Sequence, residues 1–203
     1  NLVAGDTNDK DDIFLRDRQE NTTILVSGGP GGVGGDGWCY KPDISADGRL
    51  VAFQSTSTNL VDGDTNVESD VFVHNRLTGE TIRASLSSEG TQGDDGSSFP
   101  ALSGNGHYVA FRSSATNLVT GDNNGEDDTF IRGLDYPEVT IEQAPGQADP
   151  TSDTPIHFTV TFTKPIDPTT FDNSDVQLGG TAGATTAVVT EIAPNENTTF
   201  NIA

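Results

Sequence analysis

Short runs of alternating apolar and polar residues dominate the chain and predict an all-β protein. In LVAFQS at 50–55, Val51 and Phe53 alternate with Ala52, and in IHFTVTF at 156–162 every second residue is isoleucine, valine or phenylalanine. This period of two is typical of strands that turn one face to a core. No apolar run approaches the ~20 residues that a membrane-spanning helix needs, so we expect no membrane insertion.

One line of sequence occurs three times at a constant spacing. NLVDGDTNVESDVF at 59–72 returns as NLVAGDTNDKDDIF at residue 1 and as NLVTGDNNGEDDTF at residue 117, so the spacing is 58 residues both times. Two further segments follow the same displacement: PDISADGRLVAFQS matches PALSGNGHYVAFRS, and RDRQENTTILVS matches HNRLTGETIRAS. A fixed period of this length indicates a repeat architecture.

One full repeat extends from about residue 42 to residue 96 and predicts four short strands. The first holds Ile44 and the others are LVAFQS, DVFVHN and ETIRAS. Asp47-Gly48 and Asn105-Gly106 predict tight turns, because glycine and asparagine adopt positive φ at little cost. The glycine-rich segments GGPGGVGGDG and SEGTQGDDG predict exposed loops.

Residues 1–134 resemble the TolB-like or WD-like β-propeller repeats of bacteria, through PDISADGRLVAF, PALSGNGHYVAF and the DVFVHNRLTGET line. The resemblance implies propeller-type blades of four antiparallel strands. The count is incomplete, with half a blade, one whole blade and three strands of another. Three explanations stay open: the chain is a fragment, neighbouring subunits supply the missing strands, or the sheets stack without closing.

Residues 135–203 form a second predicted domain, in which the 58-residue period stops and threonine and proline become frequent. Five short strands are predicted, in PEVTIEQA, PIHFTVTFTKPI, SDVQLGG, TTAVVTEIA and TTFNIA. The part from residue 136 resembles bacterial immunoglobulin-like modules, through Pro165-Ile166, Phe171 and Asp175-Val176. The resemblance implies a β-sandwich that lacks its last strands, which further sequence or another molecule would supply.

The recurring line carries oxygen-bearing side chains at alternate positions. Such spacing resembles loops that wrap Ca²⁺, which binds six to eight oxygens. The predicted ligands are Asp64, Asn66, Glu68 and Asp70 in the second repeat, Asp122, Asn124, Glu126 and Asp128 in the third, and Asp6, Asn8 and Asp12 in the first. The two later loops are favoured, because Lys10 takes a ligand position in the first. The alternative is that these residues only cap turns and anchor strands.

Composition excludes some classes of partner and chemistry. Thirty-one acidic residues against ten basic ones give a net charge of −21, which argues against nucleic acid and is compatible with cations. Cys39 is alone and is predicted to be a small buried residue, and the three histidines are predicted to lie at the surface. No set of residues has the spacing of a catalytic site, so we expect no enzyme. Asn21 and Asn197 begin glycosylation-type triplets.

These observations favour a non-enzymatic structural or adhesive protein of the bacterial cell surface or extracellular space. Strand or blade exchange between copies of the chain would complete its sheets, and exchange that does not close would give a fibre. Two alternatives remain: a propeller module that binds a glycan or peptide, and a non-catalytic part of a larger secreted enzyme.

Overall fold

A computed structural model describes residues 2–4, 6–136, 139–147, 154–166, 169, 171–176, 186–192 and 198–203. This part of the chain is all-β, with four antiparallel sheets, none of which closes into a barrel. The chain divides into two compact units, Asn1–Leu134 and Asp135–Ala203. No helix in the described ranges is long and apolar enough to cross a membrane.

The first unit contains nine described strands in three sheets. A hairpin of β1 and β2 is followed by a four-stranded sheet in the order β3-β4-β5-β6 and by a three-stranded sheet in the order β7-β8-β9. The strands are β1 (Phe14–Asp17), β2 (Thr22–Leu25), β3 (Cys39–Ile44), β4 (Leu50–Ser55), β5 (Asp70–Asn75), β6 (Thr81–Arg83), β7 (Ser97–Leu102), β8 (Tyr108–Ser113) and β9 (Asp128–Gly133).

The 58-residue repeat reappears in the strand registers. Phe53 lies opposite Phe72 across β4 and β5, and Phe111 lies opposite Phe130 across β8 and β9. The two pairs stack with ring centroids 5.8 Å and 5.7 Å apart. Equal sequence positions therefore build equal cross-strand contacts, because a shared register puts the same side chains on the same face.

The predicted tight turns are present. Gly48 and Gly106 have φ of +70° and +72°, a backbone region that glycine adopts without a Cβ clash. In each turn the glycine N–H donates to the carbonyl of a serine three residues earlier, Ser45 or Ser103, at 2.9 Å. These turns fix the register of β3 with β4 and of β7 with β8.

The middle sheet is covered on both faces. Phe53 and Phe72 join a buried cluster with Ile13 and Val26 of the first repeat. Alternation places Val73 on the opposite face, where it has no exposed surface. Strand β7 of the third repeat packs against β3, β4 and β5. Consecutive repeats thus stack sheet on sheet, each covering the next.

Three expectations about burial have different outcomes. Cys39 is buried, as predicted, and its Sγ lies 3.1 Å from the Oγ of Ser55. His74 is also buried, so the expectation of three surface histidines was wrong; its Nδ1 lies 3.0 Å from the Oγ1 of Thr81. The first glycine-rich segment is partly buried rather than wholly exposed. A Cβ on Gly37 would lie 2.5 Å from the backbone of Thr56, so the loop packs closely onto the chain.

The second unit contains four described strands in one antiparallel sheet, in the order β10-β11-β13-β12. Its core is Val160, Phe200 and Ile202, and Phe200 makes edge contacts with Phe162 and Phe171 at 5.9 Å and 5.1 Å. Of the predicted strand SDVQLGG at 174–180, only residues 174–176 are described, and they overlap a 3-10 turn at Asn173–Asp175; residues 177–180 lie outside the described residues. The strands are β10 (Val139–Gln143), β11 (Phe158–Phe162), β12 (Val189–Glu191) and β13 (Thr199–Ile202).

Candidate functional site

The acidic loop of the second repeat surrounds an arginine. The Nη1 of Arg83, at the end of β6, lies 3.4 Å from Asp64 Oδ1 and 3.2 Å from Asp70 Oδ2. The same nitrogen donates to Gln92 Oε1 at 2.8 Å. The side chains of Arg83, Asp64 and Asp70 are 5%, 3% and 1% exposed. Two of the four predicted metal ligands therefore converge, and they converge on a guanidinium of the same chain.

A serine fixes the second carboxylate. Ser85 Oγ donates to Asp70 Oδ1 at 2.5 Å and accepts from the Val71 N–H at 3.1 Å, which ties the start of β5 to the segment after β6. Burial raises the pKa of Asp70 and of Asp64, although Arg83 opposes the shift in both. The cause is the loss of hydration, which disfavours a charged carboxylate even beside a cation.

The other two predicted ligands of this loop have different surroundings. The Nδ2 of Asn66 donates to the Gly93 carbonyl at 2.9 Å, so the amide holds the glycine-rich loop against the acidic one. Asn66 Oδ1 is buried and has no hydrogen-bond partner. Glu68 is exposed to solvent. Asn66 therefore holds a loop in place, in line with the alternative that these residues have structural roles and not metal ligation.

The first loop repeats this geometry without an arginine. Asn8 Nδ2 donates to the Gly35 carbonyl at 2.8 Å, as Asn66 does to Gly93, and Ser27 Oγ donates to Asp12 Oδ1 at 2.6 Å, as Ser85 does to Asp70. Lys10 does not project into the loop, because its Nζ lies 4.6 Å from the centre of the Trp38 ring. The reason for favouring the two later loops over the first was therefore wrong.

The third loop is open to solvent. Asn124 and Glu126 are exposed, and Asp122 and Asp128 are half-buried. Asp128 accepts from Asn124 Nδ2 at 3.3 Å, whereas its equivalents in the other repeats accept from a serine. In the part of the chain that is described, no strand follows β9 in its sheet, so no serine reaches Asp128.

Sequence reasoning missed Arg83 and Gln92, which decide what the second loop can bind. A usable signal was present: ETIRAS places a charged residue inside a short strand where the first repeat has Leu25. Across all described residues, no three aspartate, glutamate, histidine or cysteine side chains cluster so as to hold a metal ion. Any cation site here would combine two carboxylates with amide, carbonyl or water oxygens.

The recurring Asn-Leu-Val segment also has a structural role. Asp36 in the glycine-rich loop accepts from the N–H and hydroxyl of Thr58 at 2.7 Å and 2.8 Å, and its own N–H donates to Asn59 Oδ1 at 3.0 Å. The same three bonds recur between Asp94, Thr116 and Asn117. The line recurs in part because each copy fastens a glycine-rich loop.

Of the two glycosylation-type asparagines, the structure describes Asn21. Asn21 lies exposed in the turn between β1 and β2 with a φ of +56°, and its backbone carbonyl accepts from Arg16 at 3.2 Å. Asn197 lies outside the described residues.

Compared with models of known families and with curated proteins, the sequence matches none.

Proposed function

We propose that this protein is a non-enzymatic structural or adhesive component of the bacterial cell surface or extracellular space, built from propeller-type blades that continue from one copy into the next. The observation that carries the proposal is an uncovered sheet face. Ile131 of β9 is 72% exposed, whereas Val73, at the equivalent position of β5, has no exposed surface. The sheet face that is buried in the second repeat is therefore exposed to solvent in the third.

The contact that would cover Ile131 already occurs twice within the chain. The face of the middle sheet that carries Val73 packs under β7, and its other face, with Phe72, packs on the first repeat. In the first repeat, Phe14 is the equivalent of Phe72 and is only half-buried. A second copy that lays its Phe14 face on the Ile131 face would repeat this packing and bury apolar surface on both sides.

The open edge of β9 offers a second, separate contact to another copy. Strand β6 covers the outer edge of β5, but among the described residues no strand covers the outer edge of β9. A cleft of about 480 Å³ lies along this edge, between β9 and the loop before it, and Asp128 lines it. An open edge offers unpaired backbone groups to an incoming strand. A strand followed by a serine, as Ser27 follows β2 and Ser85 follows β6, would also donate a hydrogen bond to Asp128.

Such a contact joins two different surfaces of the chain, so it is head to tail. Head-to-tail contacts give rings when the rotation closes and fibres when it does not. The net charge of −21 opposes association of copies through repulsion, and salt or bound cations reduce this repulsion. We therefore expect assembly to increase with ionic strength, and an extracellular, saline setting would favour it.

Light scattering and electron microscopy of the purified chain, over a range of protein and salt concentrations, test the proposal. Ile131→Lys is expected to keep the chain monomeric without lowering its melting temperature, because Ile131 is surface in the monomer. The control is Leu77→Lys, because Leu77 is also 72% exposed but lies in the turn after β5; this variant should assemble like the parent. A parent chain that stays a folded monomer under all conditions would contradict assembly. Specific capture on a glycan or peptide array by that monomer would favour the binding-module alternative.

A further inference from the structure

The first and second acidic loops have the same framework. In both, an asparagine amide holds the glycine-rich loop, with Asn8 bound to Gly35 and Asn66 bound to Gly93. In both, a serine hydroxyl donates to an aspartate at or just before the start of a strand and accepts from the backbone N–H of the residue after that aspartate. The positions of Asp6 and Asp12 in the first loop therefore correspond to those of Asp64 and Asp70 in the second.

The two repeats differ at the residue that faces the carboxylates. Leu25 lies opposite Phe14 in the pairing of β2 with β1, and Arg83 lies opposite Phe72 in the pairing of β6 with β5. The register is the same, so leucine stands where the second repeat has arginine. A leucine side chain supplies neither charge nor a hydrogen-bond donor.

Because the first repeat has leucine at this position, no arginine neutralises Asp6 and Asp12. Asp12 Oδ2, which corresponds to the oxygen that contacts Arg83, is buried and has no hydrogen-bond partner. Asp6 is 7% exposed, and no hydrogen bond or ion pair reaches its carboxylate from the described residues. Lys10, which belongs to the same loop, has its Nζ over the Trp38 ring. Buried carboxylates are normally paired or bind a metal, because an unpaired buried charge is strongly unfavourable.

We propose that the first repeat binds one divalent metal ion between Asp6 and Asp12, at the place that the Arg83 guanidinium fills in the second repeat. The ligands are the carboxylate oxygens of Asp6 and Asp12, and hard oxygen ligands of this kind favour Ca²⁺. Asn8 Oδ1 already accepts from the Lys10 N–H at 3.1 Å, so this amide holds the loop together instead. Two carboxylates balance the charge of the ion. Water molecules and backbone carbonyls complete the shell, as they do in many Ca²⁺ sites with few acidic ligands.

The other two loops are poorer sites for the same reasons. In the second, Arg83 already neutralises Asp64 and Asp70, and a metal ion would have to displace it. In the third, Asn124 and Glu126 are exposed and Asp128 lacks its serine. Selective binding by the first loop therefore separates this proposal from a general affinity of an acidic protein for cations.

The test is calorimetric titration of CaCl₂ into the full chain after removal of metals with EDTA, together with melting curves with and without CaCl₂. The parent should bind one ion, and its melting temperature should rise with the ion concentration, because an ion that binds only the folded state stabilises it. Leu25→Arg should abolish this binding, since the guanidinium then fills the site. Asp12→Asn should abolish it by removing a ligand. Asp122→Asn, in the third loop, is the matched control and should bind like the parent.

Arg83→Leu gives a gain-of-function test, because it places in the second repeat the leucine that the first repeat has at this position. This variant should bind two ions, and Ca²⁺ should restore part of the stability that it loses. NaCl and MgCl₂ at the same ionic strength as CaCl₂ measure how much the melting temperature rises because salt screens the repulsion between carboxylates. Leu25→Arg should show almost the same rise from screening as the parent. The proposal is overturned if the parent shows no saturable binding of Ca²⁺ or Mg²⁺, or if Leu25→Arg binds as the parent does.

Discussion

Arg83 donates to Asp70 across 3.2 Å with both side chains almost wholly removed from solvent. The arginine comes from the last strand of the middle sheet and the aspartate from the first residue of β5. The pair therefore fastens β6, a strand of three residues, to the acidic loop. Because Asp64 and Gln92 share the same guanidinium, one side chain organises the loop, the sheet edge and the glycine-rich segment.

Replacing Arg83 by leucine in the presence of EDTA is expected to lower the free energy of unfolding by about 3–5 kcal/mol, because two buried carboxylates lose their countercharge. Urea unfolding followed by circular dichroism gives the difference. The matched control is Arg112→Leu, which removes an arginine whose side chain is 54% exposed and which pairs with Asp127. That change should cost at most about 1 kcal/mol. Equal losses would show that burial does not decide the strength of these pairs.

Asp64 and Asp70 should contribute stability that is lost as the pH rises above the ordinary carboxyl value. Burial raises the pKa of Asp64 and Asp70 above 3.8, so between 3.8 and their folded values the folded chain holds more protons than the unfolded one. The free energy of unfolding then decreases with increasing pH in that window. Asp64→Asn should reduce the decrease in urea unfolding between pH 3 and pH 7. Asp62→Asn changes the charge equally at an exposed position of the same loop and should leave the decrease nearly intact.

Asp47 should have the opposite effect on pH dependence. The hydroxyl of Ser45 and the backbone N–H of Arg49 hydrogen-bond its carboxylate, and these bonds lower its pKa below 3.8. Its contribution to stability is present above 3.8 and is lost as the pH falls through the lowered value. Asp47→Asn should therefore flatten the acid side of the stability profile. NMR titration of this carboxyl, with a midpoint at or above 3.8, would contradict the assignment.

Equivalent phenylalanines should differ in the cost of their removal. Phe72 is fully buried between the first and middle sheets, whereas Phe130 is half-buried. Phe72→Ala is expected to cost about 3–5 kcal/mol, as for a fully buried aromatic side chain. Phe130→Ala should cost clearly less in the monomer, because its ring already contacts water. Urea unfolding of both variants at low protein concentration measures the difference, and an equal cost would show that Phe130 is as fully enclosed in solution as Phe72.

The Asn59 side chain should control the order of the first glycine-rich loop. It accepts from the Asp36 N–H at 3.0 Å and donates to the Gly34 carbonyl at 3.2 Å. Asn59→Ala removes both bonds, at an expected cost of about 1–3 kcal/mol. Limited proteolysis should then cut within residues 28–37 faster than in the parent. An unchanged cleavage rate would show that the close packing of Gly37 alone holds the loop.

Most strands, the tight turns and the 58-residue period could be predicted from the sequence alone. Alternation of apolar residues and glycine at positive φ are local properties of the backbone, so LVAFQS, DVFVHN and the Asp47-Gly48 turn could be identified without knowledge of the fold. The predicted burial of Cys39 is confirmed as well. Because the three acidic loops share the same local sequence pattern, the sequence alone did not show which of them differ in their contacts.

The differences between those loops arise from long-range contacts. Arg83 reaches Asp64 across 19 residues of sequence, and Lys10 turns to Trp38 rather than into its own loop. Such pairings depend on which strand lies beside which and on which face a neighbouring sheet covers. Val73 and Ile131 occupy the same place in the repeat, yet one is core and the other surface, because burial is set by the next sheet and not by the strand itself.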